Sequence, residues 1–288
     1  MRDVNSFVRA ACAIAVSFVL LLGVSAAWAG SALSSQEPIV GLTYAPGKHT
    51  LVKAYRHAVY ASGDDGKNWQ QLAIPELTKG EIASVAASPA AKKDSMYVAG
   101  PGLGILRTDD GGKTWIARND GLPTRDVIAV AAHTTQPDTV YSVVKDSGVY
   151  RSEDGGKTWR LMDRSVKAGV HQLIHSNMAG SMQSGWLFAA TENGVRRAMD
   201  CFCLWQDAGK LGASVRSIAY DPRQPEHIFA ATEKGLFRST DGGENWDQIM
   251  APVSDITALA IAPSGALYVA GADGTMFRSA DAARLGNR

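Results

Sequence analysis

Residues 39–281 repeat one alternation of apolar and polar segments six times. Each unit opens on a six-residue apolar run: 39–44 (IVGLTY), 82–87 (IASVAA), 127–132 (VIAVAA), 170–175 (VHQLIH), 215–220 (VRSIAY) and 256–261 (ITALAI). The third and fifth positions of these runs are mostly small, as strands crowded around an axis require. A polar turn follows, as at 221–225 (DPRQP), and then a second apolar run such as 96–99 (MYVA), 187–190 (LFAA) or 267–270 (LYVA). A glycine turn (Gly104, Gly148, Gly194, Gly235, Gly274) leads into a third strand ending in an Asp-rich turn, and a Trp opens a fourth. Short runs of this length bounded by Gly, Pro, Asp and Asn are strand signals.

The Asp-rich turn is the sharpest element. Three copies read 107–115 (RTDDGGKTW), 151–159 (RSEDGGKTW) and 238–246 (RSTDGGENW); 61–69 (ASGDDGKNW) is close to them. A decayed copy, 197–205 (RAMDCFCLW), keeps Asp and Trp and loses both glycines, and a truncated one, 278–281 (RSAD), lies near the end. The aspartates are Asp64, Asp110, Asp154, Asp200, Asp241 and Asp281, a period of 40 to 46 residues, and the Trp residues are Trp69, Trp115, Trp159, Trp205 and Trp246. Five of the seven Trp in the chain therefore serve one motif. Asp accepts hydrogen bonds from the backbone N–H groups that follow it, and Gly supplies positive φ.

Four short strands in meander order at this period predict an all-β, six-bladed β-propeller of four-stranded antiparallel blades. The expected blades are about 39–81, 82–126, 127–169, 170–214, 215–255 and 256–288, within one domain at 30–288. The last unit is short of its outer strand, so residues 31–37 are expected to run beside it and close the ring.

The pattern Ser/Thr-x-Asp-x-Gly-x-Thr/Asn-Trp resembles the Asp-box, or BNR, repeat over residues 38–281. The chain is similar to the extracytoplasmic BNR propellers, which include sialidases, xyloglucan hydrolases, sortilin-type ectodomains and the photosystem II assembly factor. The resemblance implies the fold and leaves the function open, because these relatives do unrelated work. It also implies that the Asp boxes sit on the blade periphery as structural turns, so their aspartates are not read as acids or bases.

The N-terminus changes the compartment expected. Arg2 and Arg9 supply a short basic region before an apolar run from Ala10 to Leu22, and Ala27-Trp28-Ala29 is a small-x-small cleavage site. Residues 1–29 are therefore read as a signal peptide, its apolar core short of the roughly 20 residues that span a bilayer. Export to the periplasm or outside the cell is expected, without stable membrane insertion after cleavage. Cleavage takes two of the 29 basic residues and one of the 28 acidic ones, which leaves the mature chain formally neutral. That balance excludes the basic footprint of a nucleic-acid binder.

Candidate chemistry is sparse. Arg107, Arg151, Arg197, Arg238 and Arg278 number enough for a sialidase-type carboxylate clamp, yet each holds the same slot before an Asp box, which marks them as structural. The segment Tyr55-Arg56-His57-Ala58 lacks the Ile and Pro of the sialidase Arg-Ile-Pro element. Glu81, Asp126 and Asp255 immediately precede inner strands, with Arg125, His171 and Arg216 at the same level, so a central-face binding site is expected there. Paired carboxylates suit glycoside hydrolysis, and a carboxylate ring suits a hard cation. The fourth unit gathers His171, His175, Met178, Met182, Met199, Cys201 and Cys203. His and sulfur ligands fit copper or zinc, but His175 falls at an apolar core position and the cysteines at the periphery, so no metal and no cofactor are assigned. Cys201 and Cys203 can form a small disulfide that staples a turn without glycines, or remain thiols.

Three functions stay open at this level. The favoured one is a non-catalytic exported propeller that binds a protein partner; the second is a glycosidase or glycan binder; the third is a metal or redox module in the fourth blade.

Overall fold

The computed structural model describes residues 37–91, 93–166, 169–202 and 204–282. Six antiparallel sheets follow one another along the chain. The first blade is β1 (Gly41–Ala45), β2 (Thr50–Tyr55), β3 (Ala58–Ser62) and β4 (Gln70–Leu72); the second is β5 (Ser84–Ala87), β6 (Met96–Gly100), β7 (Gly104–Thr108) and β8 (Ile116–Ala117). The third is β9 (Val127–Ala132), β10 (Val140–Val144), β11 (Gly148–Ser152) and β12 (Arg160–Asp163); the fourth is β13 (Val170–Ser176), β14 (Trp186–Thr191), β15 (Gly194–Met199) and β16 (Gln206–Asp207). The fifth is β17 (Val215–Asp221), β18 (Gln224–Thr232), β19 (Gly235–Ser239) and β20 (Asp247–Ile249), and the sixth is β21 (Ile256–Ile261), β22 (Leu267–Gly271) and β23 (Met276–Ser279). The fold is the six-bladed β-propeller expected from the repeat. The sixth sheet has three strands among the described residues, and of the segment 31–37 expected to complete it only Glu37 is described.

Blades cannot bury both faces alone, and the core shows how the problem is solved. Each of six apolar clusters spans two neighbouring blades. Tyr141 and Val143 of blade three pack on Leu173, Leu187 and Trp205 of blade four. Ile39, Leu42 and Leu51 of blade one pack on Ala258, Ala260 and Tyr268 of blade six. The ring is thus closed by side-chain packing between first and last blades. Each fully buried Leu, Ile or Phe contributes about 1.5–3 kcal/mol.

The inner strands are joined through side chains. The small or polar third position bridges blades: Ser84 Oγ accepts from the Val130 N–H at 3.1 Å, and Gln172 Oε1 accepts from Ser217 Oγ and the Ile218 N–H, both at 2.8 Å. Ser217 Oγ in turn accepts from the Leu259 N–H at 3.0 Å. Bulky apolar residues at that position would leave these N–H groups unpaired next to the axis.

The Asp boxes form on the rim where the inner strands end. Asp110 Oδ1 accepts from Thr108 Oγ1 at 2.7 Å and the Thr114 N–H at 2.9 Å, while Oδ2 accepts from Thr114 Oγ1 at 2.7 Å. Asp64, Asp154 and Asp241 make the same set with Ser62/Asn68, Ser152/Thr158 and Ser239/Asn245. The repeated arginines reach across to the next blade's box. Arg107 Nη1 donates to the Gly155 carbonyl at 3.0 Å, and Arg278 pairs with Asp65 at 3.5 Å. Their guanidinium groups also lie over Tyr97, Tyr141, Trp186 and Tyr268 in their own blades. Placed this way, the arginines are spent on the scaffold.

Candidate functional site

Two ends of the axis and one buried cluster between blades hold the candidate chemistry. At the end where inner strands begin, the six residues singled out in the sequence are at least partly exposed and mostly held by local partners. Glu81 pairs with Arg56 at 3.2 Å and faces His57 at 4.0 Å. Arg216 of blade five pairs with Asp255 of blade six. Asp126 accepts from the Gly102 N–H at 3.3 Å, and His171 Nδ1 lies 2.7 Å from the Val215 carbonyl oxygen. Arg125 is exposed, its carbonyl accepting from the Gly104 N–H. Among the described residues no hydrogen bond or ion pair joins Glu81, Asp126 and Asp255 to one another. The structure brings them to one end as separate pairs.

At the opposite end the six inner strands enclose a central cavity of about 150 Å³ that opens to solvent. Each blade supplies the fourth, fifth and sixth residues of its apolar run, from Leu42–Tyr44 in the first to Leu259–Ile261 in the sixth. The small fifth position (Thr43, Ala86, Ala131, Ala219, Ala260) leaves the space, with Ile174 the exception. Tyr44 and Tyr220 add phenol rings, and Pro46, Pro89, Pro222 and Pro263 shape the mouth. Among the described residues no Asp, Glu, Lys or Arg lines it. Burial raises the Tyr220 phenol above its ordinary range, and Tyr44 is raised for the same reason, with Asp65 nearby.

The third candidate was not legible as a unit. His133, His175 and Asp200 meet between blades three and four, their donor atoms all within 4.8 Å of one another and their side chains fully buried. The imidazoles stack with centroids 3.8 Å apart at 29°. Ser184 Oγ stands 2.8 Å from His133 Nε2 and donates to Asp200 Oδ2 at 2.5 Å, while the Ser184 N–H donates to the same oxygen at 3.1 Å. His133 is missing from the fourth unit's sequence because it comes from the preceding blade, one residue beyond the apolar run that ends β9.

Asp200 explains the decay of its Asp box. Its carboxylate, instead of capping its own turn, points inward to Ser184 and the two histidines, and Cys201 and Phe202 replace the glycines that a capped turn uses. Phe202 takes φ 59°, a left-handed conformation unusual for a bulky residue. Cys201 is disulfide-bonded; Cys203 lies outside the described residues. Trp205 is buried in the blade three–four cluster. Met178 packs against the blade four–five core, and Met182 is exposed, so neither approaches the histidine pair as a ligand.

Burial drives His133 down to about 4, the neighbouring His175 and Arg151 adding to the effect and Asp200 opposing it. His175 is lowered for the same first reason. Asp200 stays ionised down to about 2: burial raises it, and the His175 and Ser184 contacts more than offset that cost.

Comparison with solved structures gives the fold a context. YCF48 from Cyanidioschyzon merolae is 17% identical with a TM-score of 0.55, over 88% of this chain and 85% of that one. A structure of YCF48 bound to D1 peptide is 18% identical with a TM-score of 0.53, over 85% and 80%. The GH74 xyloglucanase from Xanthomonas campestris is 15% identical with a TM-score of 0.58, over 86% of this chain but 52% of that enzyme. The GH74 enzyme of Niastella koreensis is likewise matched over 47% of its length, so the chain spans about half of these glycosidases. No curated protein matches the chain. The family model described as Photosynthesis system II assembly factor YCF48 matches residues 22–286, nearly the whole chain, and the chain belongs to that family.

Proposed function

We propose that the protein is a non-catalytic, exported assembly propeller that binds an uncharged stretch of a partner protein in its central cavity. The observation that carries this reading is the lining: six blades converge on a cavity with an apolar wall, two phenols and, among the described residues, no charged side chain. An uncharged segment enters such a site without stripping water from an ion, whereas a buried unpaired charge costs several kcal/mol. Family membership supports it, as does the solved family structure bound to D1 peptide. Export is supported by the signal-like residues 1–29, which lie outside the described residues.

Likeness to GH74 enzymes favours carbohydrate chemistry as the second reading, with Glu81, Asp126 and Asp255 as its carboxylates. Their separate pairing and the carboxylate-free cavity weigh against it. Binding of mature protein to peptide and glycan arrays tests both readings, with Ala219→Trp filling the cavity and a Glu81/Asp126/Asp255→Ala variant clearing the other end. Peptide binding lost in Ala219→Trp alone supports the proposal. Glycan binding lost in the triple variant alone overturns it.

A further inference from the structure

His133, His175 and Asp200 have the composition of a zinc site, and their hydrogen bonds argue against one. The Thr135 and Gln136 N–H groups both donate to His133 Nδ1 at 3.1 Å. The Thr134 N–H donates to His175 Nδ1 at 3.3 Å, and Thr134 Oγ1 lies 2.9 Å from the same nitrogen. A nitrogen accepting backbone N–H bonds carries no proton of its own, so each neutral ring holds its proton on Nε2. A histidine that binds metal through Nε2 keeps its proton on Nδ1 and donates it outward. Both rings here have the opposite arrangement.

That tautomer gives the cluster its logic. His133 Nε2–H donates to Ser184 Oγ, Ser184 donates to Asp200, and His175 Nε2–H faces Asp200 Oδ2 at 3.8 Å with no closer partner. Neutral donors from two blades converge on one buried carboxylate. A second proton on either ring would have to enter at Nδ1, against the N–H groups of residues 134–136, and would put a cation in stacking contact with the other ring. The groups facing the stack from other elements are Tyr141 on β10, its ring 5.8 Å from His175, and Arg151 on β11, which pairs with Glu153 at 3.0 Å. Arg151 adds to the cost of a positive ring, and Asp200 is the anion that offsets it among the described residues.

We propose that the His133–His175 stack is an acid-sensitive latch between blades three and four. While both rings are neutral, it pins the Thr134–Gln136 corner; when one takes a second proton, it lets that corner go. Thr134 and His175 both line the central cavity, so release loosens one sector of its wall.

The direction with pH follows from the folded values. An unfolded histidine titrates near 6.5 and folded His133 near 4, so the unfolded chain binds its proton first. Stability from the latch is complete above about 6.5, declines as pH falls, and is gone near 4. Asp200 loses its proton-linked contribution only below its ordinary value of 3.8, outside that window.

Amide hydrogen exchange of the mature protein without any partner tests the latch separately from the binding proposal. Between pH 7 and 4.5, the amides of Thr134, Thr135 and Gln136 are expected to gain more than about tenfold in opening, after correction for intrinsic rates, while blade one amides do not. His175→Leu, a size close to the Ile261 that fills this slot in blade six, should fold and remove the pH response of Thr134, whose N–H it no longer accepts, while the His133-linked response at Thr135 and Gln136 persists. Nitrogen-15 spectra should show Nδ1 unprotonated in both rings at pH 7. Uniform opening across all blades, Nδ1 protonation, or a rise in Tm on adding zinc chloride would each overturn the latch.

Discussion

Arg197 of blade four donates through Nη1 to the carbonyl of Gly242 in the Asp box of blade five, at 2.6 Å and 45 residues along the chain. Its second nitrogen pairs with Glu244 at 3.2 Å, and its guanidinium lies 5.2 Å from the Trp186 ring centroid. One side chain thus ties its own second strand to the next blade's turn. Arg107 and Arg278 make comparable links, so in these three blades the arginine before the Asp box is a clasp to the next blade.

Removing the clasp should therefore act on stability. Arg197→Ala is expected to cost about 1–3 kcal/mol, the range for hydrogen bonds to a charged group plus lost stacking. Arg197→Lys should recover less than half, since an ammonium cannot both stack flat and donate in a fork. Urea unfolding of the mature protein measures both.

The tryptophans separate by their indole nitrogens. Trp246 Nε1 donates to the Ala208 carbonyl at 2.9 Å, whereas Trp205 Nε1 is buried without a hydrogen-bond partner. Trp205→Phe is expected to cost less than Trp246→Phe by about 1 kcal/mol, one hydrogen bond's net worth. Either Trp→Ala change should cost about 3–5 kcal/mol through the cavity it leaves. Thermal unfolding of the four variants tests the ordering.

Around the axis, Ser217 is the hinge of a chain from Gln172 to Leu259. Ser217→Ala leaves the buried Leu259 N–H without its acceptor and should destabilise by about 1–3 kcal/mol. Ser217→Thr keeps the hydroxyl and should cost less. A calorimetric Tm for each variant distinguishes lost hydrogen bonding from lost volume.

The Asp boxes should resist acid. The Asn68 backbone N–H, the Asn68 amide and the Ser62 hydroxyl hold Asp64 down to about 2, and Asp110 is lowered by Thr114 and Thr108. Carboxylates with depressed folded values contribute stability that is present above their unfolded value near 3.8 and lost below it. Unfolding that sets in between pH 6.5 and 4 thus belongs to other groups. If Asp64→Asn and Asp110→Asn remove the response in that interval, this assignment is wrong.

What the sequence makes legible is what repeats. Asp64, Asp110, Asp154 and Asp241 recur at one period, so their turns, the four-strand blade and the structural role of the arginines follow from the chain alone. The cavity is half visible: small fifth positions announce a crowded axis, but the side on which space remains depends on Tyr44, Tyr220 and the prolines meeting in three dimensions. The histidine cluster breaks the repeat. His133 and His175 occupy neighbouring, not equivalent, slots of different blades, and Asp200 looks like one more Asp box until its carboxylate is seen turned inward. Its lost glycines were the available signal.

Ring closure by residues 31–37 is proposed because the sixth sheet has three strands among the described residues and Phe277 on β23 is 39% exposed. A disulfide engineered between position 33 and position 277 should form in the mature protein and raise its Tm; failure to form under oxidising conditions would remove that strand from blade six.

The central claim is that the partner enters the uncharged cavity. A photocrosslinking amino acid placed at Tyr44, on the cavity wall, or at Lys145, near Asp126 at the other end, would be carried by mature protein in its own compartment. The account predicts a covalent adduct with one partner protein from position 44 and none from position 145, the adduct lost when Ala219→Trp fills the cavity. An adduct from position 145 alone, unaffected by Ala219→Trp, would contradict it and move the binding face to the end that carries Glu81, Asp126 and Asp255.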